Sequence, residues 1–204
     1  MRLIGMWDSP YVRRVAISLK LMGLPFEAEQ LSVFRNFDAF SAINPVVKAP
    51  SLVTDEGVVL MDSGLILEHV ERLAPAERRL TPMDFGEHAR SRRIIGLALA
   101  ACEKTVQVVY EQNLRPAEKR HAPWLDRVGG QLSAAYGQLE AEIADPAAWL
   151  TGDRPLQADI TAAVAWTFTQ FTQPQLATPA AYPKLAAFTA KAEALPEFAS
   201  TPLE

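Results

Sequence analysis

Apolar positions along the first 77 residues fall in short separate runs, some alternating and some at helical spacing. RLIGM (2–6) predicts a strand. SPYVRRVAISLKLMG then predicts a helix, with Ser9 as N-cap, Pro10 at the first helical position and Gly23 as the stop. Val12, Val15, Ala16 and Leu19 give that helix one apolar face. FEAEQL (26–31) alternates as a second strand, and a loop or short helix follows around 35–43. SLVT (51–54) and VVLM (58–61) flank Asp55-Glu56-Gly57, a hairpin signal. A helix from Ser63 to about Leu73 turns Leu65, Ile66, Leu67, Val70 and Leu73 inward. The order strand, helix, strand, helix, strand, strand, helix predicts one βαβαββα domain, α/β in class, over residues 1–77.

APAERRLTP (74–82) breaks the pattern, and residues 78–85 read as a linker. From 86 to 204 only helical spacing remains, which predicts an all-α bundle. Ile95, Leu99, Cys102, Val106 and Val109 form one seam, and Trp124, Val128, Leu132, Leu139 and Ile143 form a second. ADITAAVAWTFTQF (158–171) is apolar nearly all round and predicts a central helix. YPKLAAFTAKAEAL (182–195) closes the bundle with Leu185, Phe188, Ala192 and Leu195 inward.

Composition narrows the classes. The chain has 204 residues, 49% hydrophobic and 22% charged, with a net charge of -4 from intermingled acids and bases. There is no basic field for nucleic acid; the cluster ARSRR (89–93) is too short to make one. No run approaches the roughly 20 apolar residues that span a bilayer, and the first 20 residues lack a secretory pattern, so a soluble cytoplasmic protein is expected. The single cysteine, Cys102, and three scattered histidines argue against internal disulfide, zinc or other metal chemistry.

Three stretches of the first domain carry chemistry. Ser9 sits where a strand's end meets a helix start, a place whose free N–H groups and dipole favour an anion. In INPVVKAPSLV (43–53), Ala49-Pro50 precedes a strand; a cis bond there would turn the backbone of Ala49 outward to pair with a peptide. In VLMDSGLILEHV (59–70), Asp62 and Ser63 open a helix and could hold an ammonium and a carboxylate together. Taken singly, each also fits ordinary capping or a plain turn.

Together, SPYVRRV, NPVVKAPSL and LMDSGLILEHVE, in this order and spacing, resemble the three glutathione-site motifs of serine-type bacterial cytosolic glutathione transferases. LTGDRPLQADITAAVAW (150–166) is similar to that family as well, so the resemblance covers essentially the whole chain. It implies a thioredoxin-like first domain, an all-helical second domain and a homodimer; Glu68 and Glu71 against Arg90, Arg92 and Arg93 are a hint of the last. It further implies glutathione as co-substrate, without a metal. Ser9 would donate to the sulfur and stabilise the thiolate; Ala49, before cis-Pro50, would pair by its backbone with the cysteinyl part; Asp62 and Ser63 would hold the γ-glutamyl end. Lys48 is placed for the glycyl carboxylate, with Arg35 a second candidate for the same group. Tyr11, Tyr110 and Trp166 are candidates to line the electrophile cleft, though Tyr110 and Trp166 fit core packing too, and Cys102 reads as a buried filler.

The implied activity is conjugation of the thiolate to a small hydrophobic electrophile, a detoxification chemistry. The alternative is a glutathione-binding module with little or no turnover and a regulatory or interaction role. Serine at position 9 cannot form a mixed disulfide, and Asp8-Ser9-Pro10 lacks the Ser-Ser-Cys run of the maleylacetoacetate isomerase branch. Where the family has Ser or Thr three residues before the aspartate of the late helix, this chain has Leu156 before Asp159. Half a capping box is therefore expected, with Leu156→Thr stabilising the protein.

Overall fold

A four-stranded sheet forms from β1 (Arg2–Ile4), β2 (Glu27–Glu29), β3 (Ser51–Val53) and β4 (Val59–Met61), in the spatial order β2-β1-β3-β4. Only the β1–β2 pair is parallel. The structure is a computed structural model, and its described residues are 1–203. Helices α1 (Pro10–Met22), α2 (Phe37–Ile43) and α3 (Ser63–Glu71) alternate with the strands in the predicted order. Between β3 and β4 the Thr54 amide donates to the Val58 carbonyl at 2.9 Å, and Gly57 supplies the positive φ of 82° that the tight turn needs. β2 is shorter than its alternation suggests and exposes Glu27 and Ala28, as befits a charged edge strand.

α1 departs from the one-faced helix expected of it. Every residue from Val12 to Leu19 is buried, Arg13, Arg14 and Ser18 included. β1, α3 and a short helix α8 (Pro196–Ala199) pack against it. The pattern grouped residues 195–204 with the helical bundle; instead the stretch from Leu195 belongs to the same compact unit as Met1–Leu80. The cause is a buried cation: Arg13 Nε donates to the Thr201 carbonyl at 2.8 Å, Nη2 reaches the Phe198 carbonyl at 3.5 Å, and the guanidinium lies 5.7 Å from the Phe198 ring centre. Lys20 adds bonds to the Ser200 carbonyl (2.9 Å) and hydroxyl (2.8 Å). On α3 the inward side is Ile66, Leu67 and Val70, whereas Leu65 is 63% exposed on the opposite side and Leu73, beyond the helix end, is 53% exposed.

The second unit, Thr81–Ala194, is helical: α4 (Phe85–Asn113), α5 (Ala122–Glu142), α6 (Gln157–Thr172) and α7 (Pro183–Glu193). α4 packs against both α5 and α6. Its buried stripe is Ile94, Ile95, Ala98, Ala101, Cys102, Thr105 and Val108, so the expected Leu99, Val106 and Val109 are only half-buried. Trp124 is likewise exposed at the start of α5, while Val128, Leu132, Leu139 and Ile143 are inside. α6 is central and buried, as predicted. Around it the Tyr136 hydroxyl donates to the Ala165 carbonyl (2.9 Å) and meets Thr169 Oγ1 (2.6 Å), which meets Thr105 Oγ1 (2.7 Å). Burial pushes the Tyr136 phenol far above its ordinary pKa, against the hydrogen bond with Thr169. The arginines that hinted at a partner have partners within this unit: Arg93 Nε and Arg90 Nε reach Glu142 at 2.8 and 3.3 Å, and Arg92 Nε donates to His88 at 3.2 Å.

Candidate glutathione site

Ser9 holds an extended backbone (φ -75°, ψ 122°) at the N-cap of α1, and its Oγ accepts the Val12 amide at 3.4 Å. Accepting there leaves the hydroxyl proton available to donate outward. Immediately upstream, Gly5 has φ 137°, and a Cβ built on it would lie 2.6 Å from Val12 Cγ2 and 3.2 Å from Ala49 Cβ. Only a glycine lets the Ala49 turn come this close to the first turn of α1. Two of the three stretches therefore meet at Gly5.

The Ala49-Pro50 bond is cis. Among the described residues no hydrogen bond engages the amide or carbonyl of Ala49, which stand ready for an extended partner. The turn is braced from beneath: Asn44 Nδ2 donates to Ser51 Oγ at 2.8 Å, Ser51 Oγ donates to the Lys48 carbonyl at 2.8 Å, and the Val46 amide donates to Asn44 Oδ1 at 3.0 Å. Val47 takes a φ of 53° within it.

Asp62 caps α3, its Oδ1 accepting the amides of Gly64 (2.8 Å) and Leu65 (3.4 Å) from a backbone with φ 74°. Its Oδ2 lies 4.0 Å from Lys48 Nζ, with both side chains 53% exposed, a weak pair that joins the second stretch to the third. Ser63, the first residue of α3, is buried, and its Oγ accepts from Arg14 Nη1 at 3.1 Å. Arg35 is exposed in the loop before α2 and faces Asp8, the residue before Ser9. Burial raises the Asp8 carboxyl above its ordinary pKa, while the Arg35 charge and the Ser9 amide oppose the rise.

Ser9, Lys48, Ala49, Pro50, Asp62 and Ser63 thus lie in one unit, the first two stretches meeting at Gly5, Lys48 standing 4.0 Å from Asp62, and Ser63 bonded to Arg14 of α1. Tyr11 lies half-buried in the first turn of α1. In the helical unit Tyr110 is 46% exposed near the end of α4. Trp166 is 4% exposed and packs edge-on against Tyr136 (5.4 Å) and Tyr182 (6.0 Å), so it is a core residue rather than a cleft wall. Sequence reasoning missed Arg14, Gly5, Asn44 and Ser51. The signal for Arg14 was an arginine pair inside the otherwise apolar run VRRVAISL. No group of His, Cys, Asp and Glu among the described residues is arranged to hold a metal ion, and no helix among them is long and apolar enough to cross a membrane.

Residues 3–78 match the family described as glutathione S-transferase, N-terminal domain, and residues 122–191 match that described as glutathione S-transferase, C-terminal domain. An uncharacterized GST-like protein of Escherichia coli K12 is 33% identical over 147 residues, spanning 71% of each chain. The maleylacetoacetate isomerase of Pseudomonas aeruginosa is 30% identical over 172 residues, 78% of this chain and 77% of that protein. A glutathione transferase family member from Pseudomonas fluorescens Pf-5 with bound glutathione has a TM-score of 0.87 at 31% identity, covering 100% of this chain and 98% of that one. A glutathione S-transferase from Methylobacterium radiotolerans in complex with glutathione sulfonate has a TM-score of 0.90 at 30% identity, covering 98% and 93%. With both domains matched and whole-length likeness to such structures, the chain belongs to the glutathione S-transferase family.

Proposed function

We propose that this protein binds glutathione on its first unit, holds it as the thiolate and conjugates it to a small hydrophobic electrophile. The observation that carries the reading is the Ser9 hydroxyl, whose acceptor side is engaged by the Val12 amide while its proton remains to donate, at the start of α1 beside the cis Ala49-Pro50 turn. Glutathione bound to relatives of similar fold supports it.

In this reading the cysteinyl backbone pairs with Ala49, Pro50 shapes the turn, Asp62 takes the γ-glutamyl amino group and Ser63 its carboxylate. Lys48 offers its ammonium to the glycyl carboxylate, and Arg35 is a second candidate cation for the same group. The energetics suffice. Lowering a thiol from a pKa of about 8.5 by two units requires about 2.7 kcal/mol of preference for the thiolate. A hydroxyl donating to a charged acceptor supplies roughly 1.5 to 3 kcal/mol, and a helix N-terminus adds about 0.3 to 1. The thiol proton leaves to solvent or to a carboxylate of glutathione, so no protein base is needed. Tyr11 is the proposed aromatic contact for the electrophile on the first unit, and the working form is a homodimer, which light scattering checks.

Replacing Ser9 with alanine and measuring kcat/KM with aryl halides, epoxides and isothiocyanates tests the reading. A loss of about tenfold or more is expected from one charge-assisted hydrogen bond. An unchanged rate removes Ser9 as thiol activator. Glutathione binding without turnover at high protein concentration would favour the second reading, a binding module. Likeness to an isomerase is outweighed by Asp8-Ser9-Pro10, which offers neither the Ser-Ser-Cys run nor any thiol.

A further inference from the structure

We infer that Arg14 is a positioning residue for the γ-glutamyl end of the ligand, acting through Ser63. This rests on the glutathione reading above and gives a role to a residue that lies within the first motif but received none there. Arg14 lies on α1, five residues after the N-cap serine, and is 2% exposed. Its Nη1 donates to Ser63 Oγ at 3.1 Å, a buried contact between α1 and the first residue of α3.

A serine hydroxyl has one proton to give and two lone pairs with which to accept. With Arg14 donating into a lone pair, Ser63 Oγ is held by a fixed cation, and its proton is left to point away from that cation, toward an incoming carboxylate. The guanidinium also polarises the hydroxyl, which makes it a stronger donor to an anion. A hydroxyl without such a clamp would rotate among its rotamers and lose part of this advantage on ordering.

The placement has a second consequence. The residue that activates the thiol caps the helix on which the residue that orients the γ-glutamyl grip is buried, so α1 sets the spacing between the thiol and the γ-glutamyl end of the bound tripeptide. Asp62, by contrast, is half-exposed and caps its own helix, and so keeps its geometry without Arg14.

The test is a double-mutant cycle on glutathione affinity, read by calorimetry in the full chain, with cysteinylglycine as the probe that lacks the γ-glutamyl group. Arg14→Gln and Ser63→Ala are each expected to weaken glutathione about tenfold, the size of a hydrogen bond to a charged group, and to leave cysteinylglycine binding unchanged. The double variant is expected to bind no more weakly than Ser63→Ala alone. Arg14→Lys, which keeps the charge and an N–H donor group, is expected to recover most of the affinity, and Arg14→Met takes the place of Arg14→Gln in the cycle if the latter fails to fold by circular dichroism. Equal loss for both ligands, additive losses in the double variant, or no loss at all overturns the inference. If the native chain itself does not bind glutathione, the functional reading falls and takes this inference with it; if the native chain binds and the cycle fails, only the role of Arg14 is lost.

Discussion

Asp159 accepts the amide of Leu156 at 2.9 Å across the first turn of α6, and with its other oxygen it accepts the amide of Leu150 at 2.8 Å. Burial raises the Asp159 carboxyl above its ordinary pKa even though these amides and the Lys191 charge oppose it. The half-box expected from the sequence therefore does more than cap: it ties the loop before α6 to the helix. Removing the carboxylate with Asp159→Ala leaves two buried amides without an acceptor, at about 1–3 kcal/mol each, and a fall in Tm of several degrees measures it.

Leu156→Thr is no longer expected to stabilise. The new hydroxyl would gain about 1 kcal/mol as a cap. Leu156, however, is 7% exposed, and burial of a leucine is worth about 1.5–3 kcal/mol, part of which threonine forfeits. An unchanged or lowered midpoint in urea is the expected result.

Tyr136→Phe should destabilise by about 1–3 kcal/mol, because it removes the donor to the Ala165 carbonyl and the partner of Thr169 deep in the helical unit. Since Tyr136, Thr169 and Thr105 form one chain of hydroxyls, combining Tyr136→Phe with Thr169→Val should cost less than the two losses added, which denaturation of the single and double variants checks.

Hydrogen bonds from Arg93 and Arg90 hold the Glu142 carboxyl below its ordinary value of 4.5. Its contribution to stability is therefore present above that value and disappears as pH falls through the lower value it has in the folded chain. Glu142→Gln should be less stable than the native chain at pH 7, with the gap closing in acid below about pH 4.5. Urea midpoints collected across that range supply the measurement.

Arg13→Met withdraws the donor of the Thr201 carbonyl bond and should cost about 1.5–3 kcal/mol. Deleting residues 195–204 should act in the same place. Hydrogen exchange would show amides of α1 losing protection in both variants while those of α5 keep theirs.

What the sequence made legible is what local chemistry controls. Pro10 and Gly23 bracket α1, Asp55-Glu56-Gly57 turns the hairpin, and the three candidate stretches lie in one unit with a cis bond at Ala49-Pro50. What escaped it depends on neighbours. The stripe of α4 runs through Ala98 and Ala101, small residues that carry little hydrophobic signal yet are the inward positions where α4 meets α5 and α6, so Leu99 drew attention it did not merit. Arg13 and Arg14 received no role because nothing local announces the Thr201 carbonyl or the Ser63 hydroxyl that receive them. Trp166, which also fitted core packing, packs inward against Tyr136 and Tyr182, partners that lie on other segments.

The return of the tail to α1 also orders events during synthesis. Arg13 and the Thr201 carbonyl that receives it are 188 positions apart. A ribosome releases α1 long before it makes Thr201, so the first unit begins to emerge before the helical unit and is completed after it. Until then α1 carries a cation destined for burial with its acceptor still unmade, and the helical unit between them has every segment it needs. Helix α1 thus completes its packing only after the whole helical unit has been made.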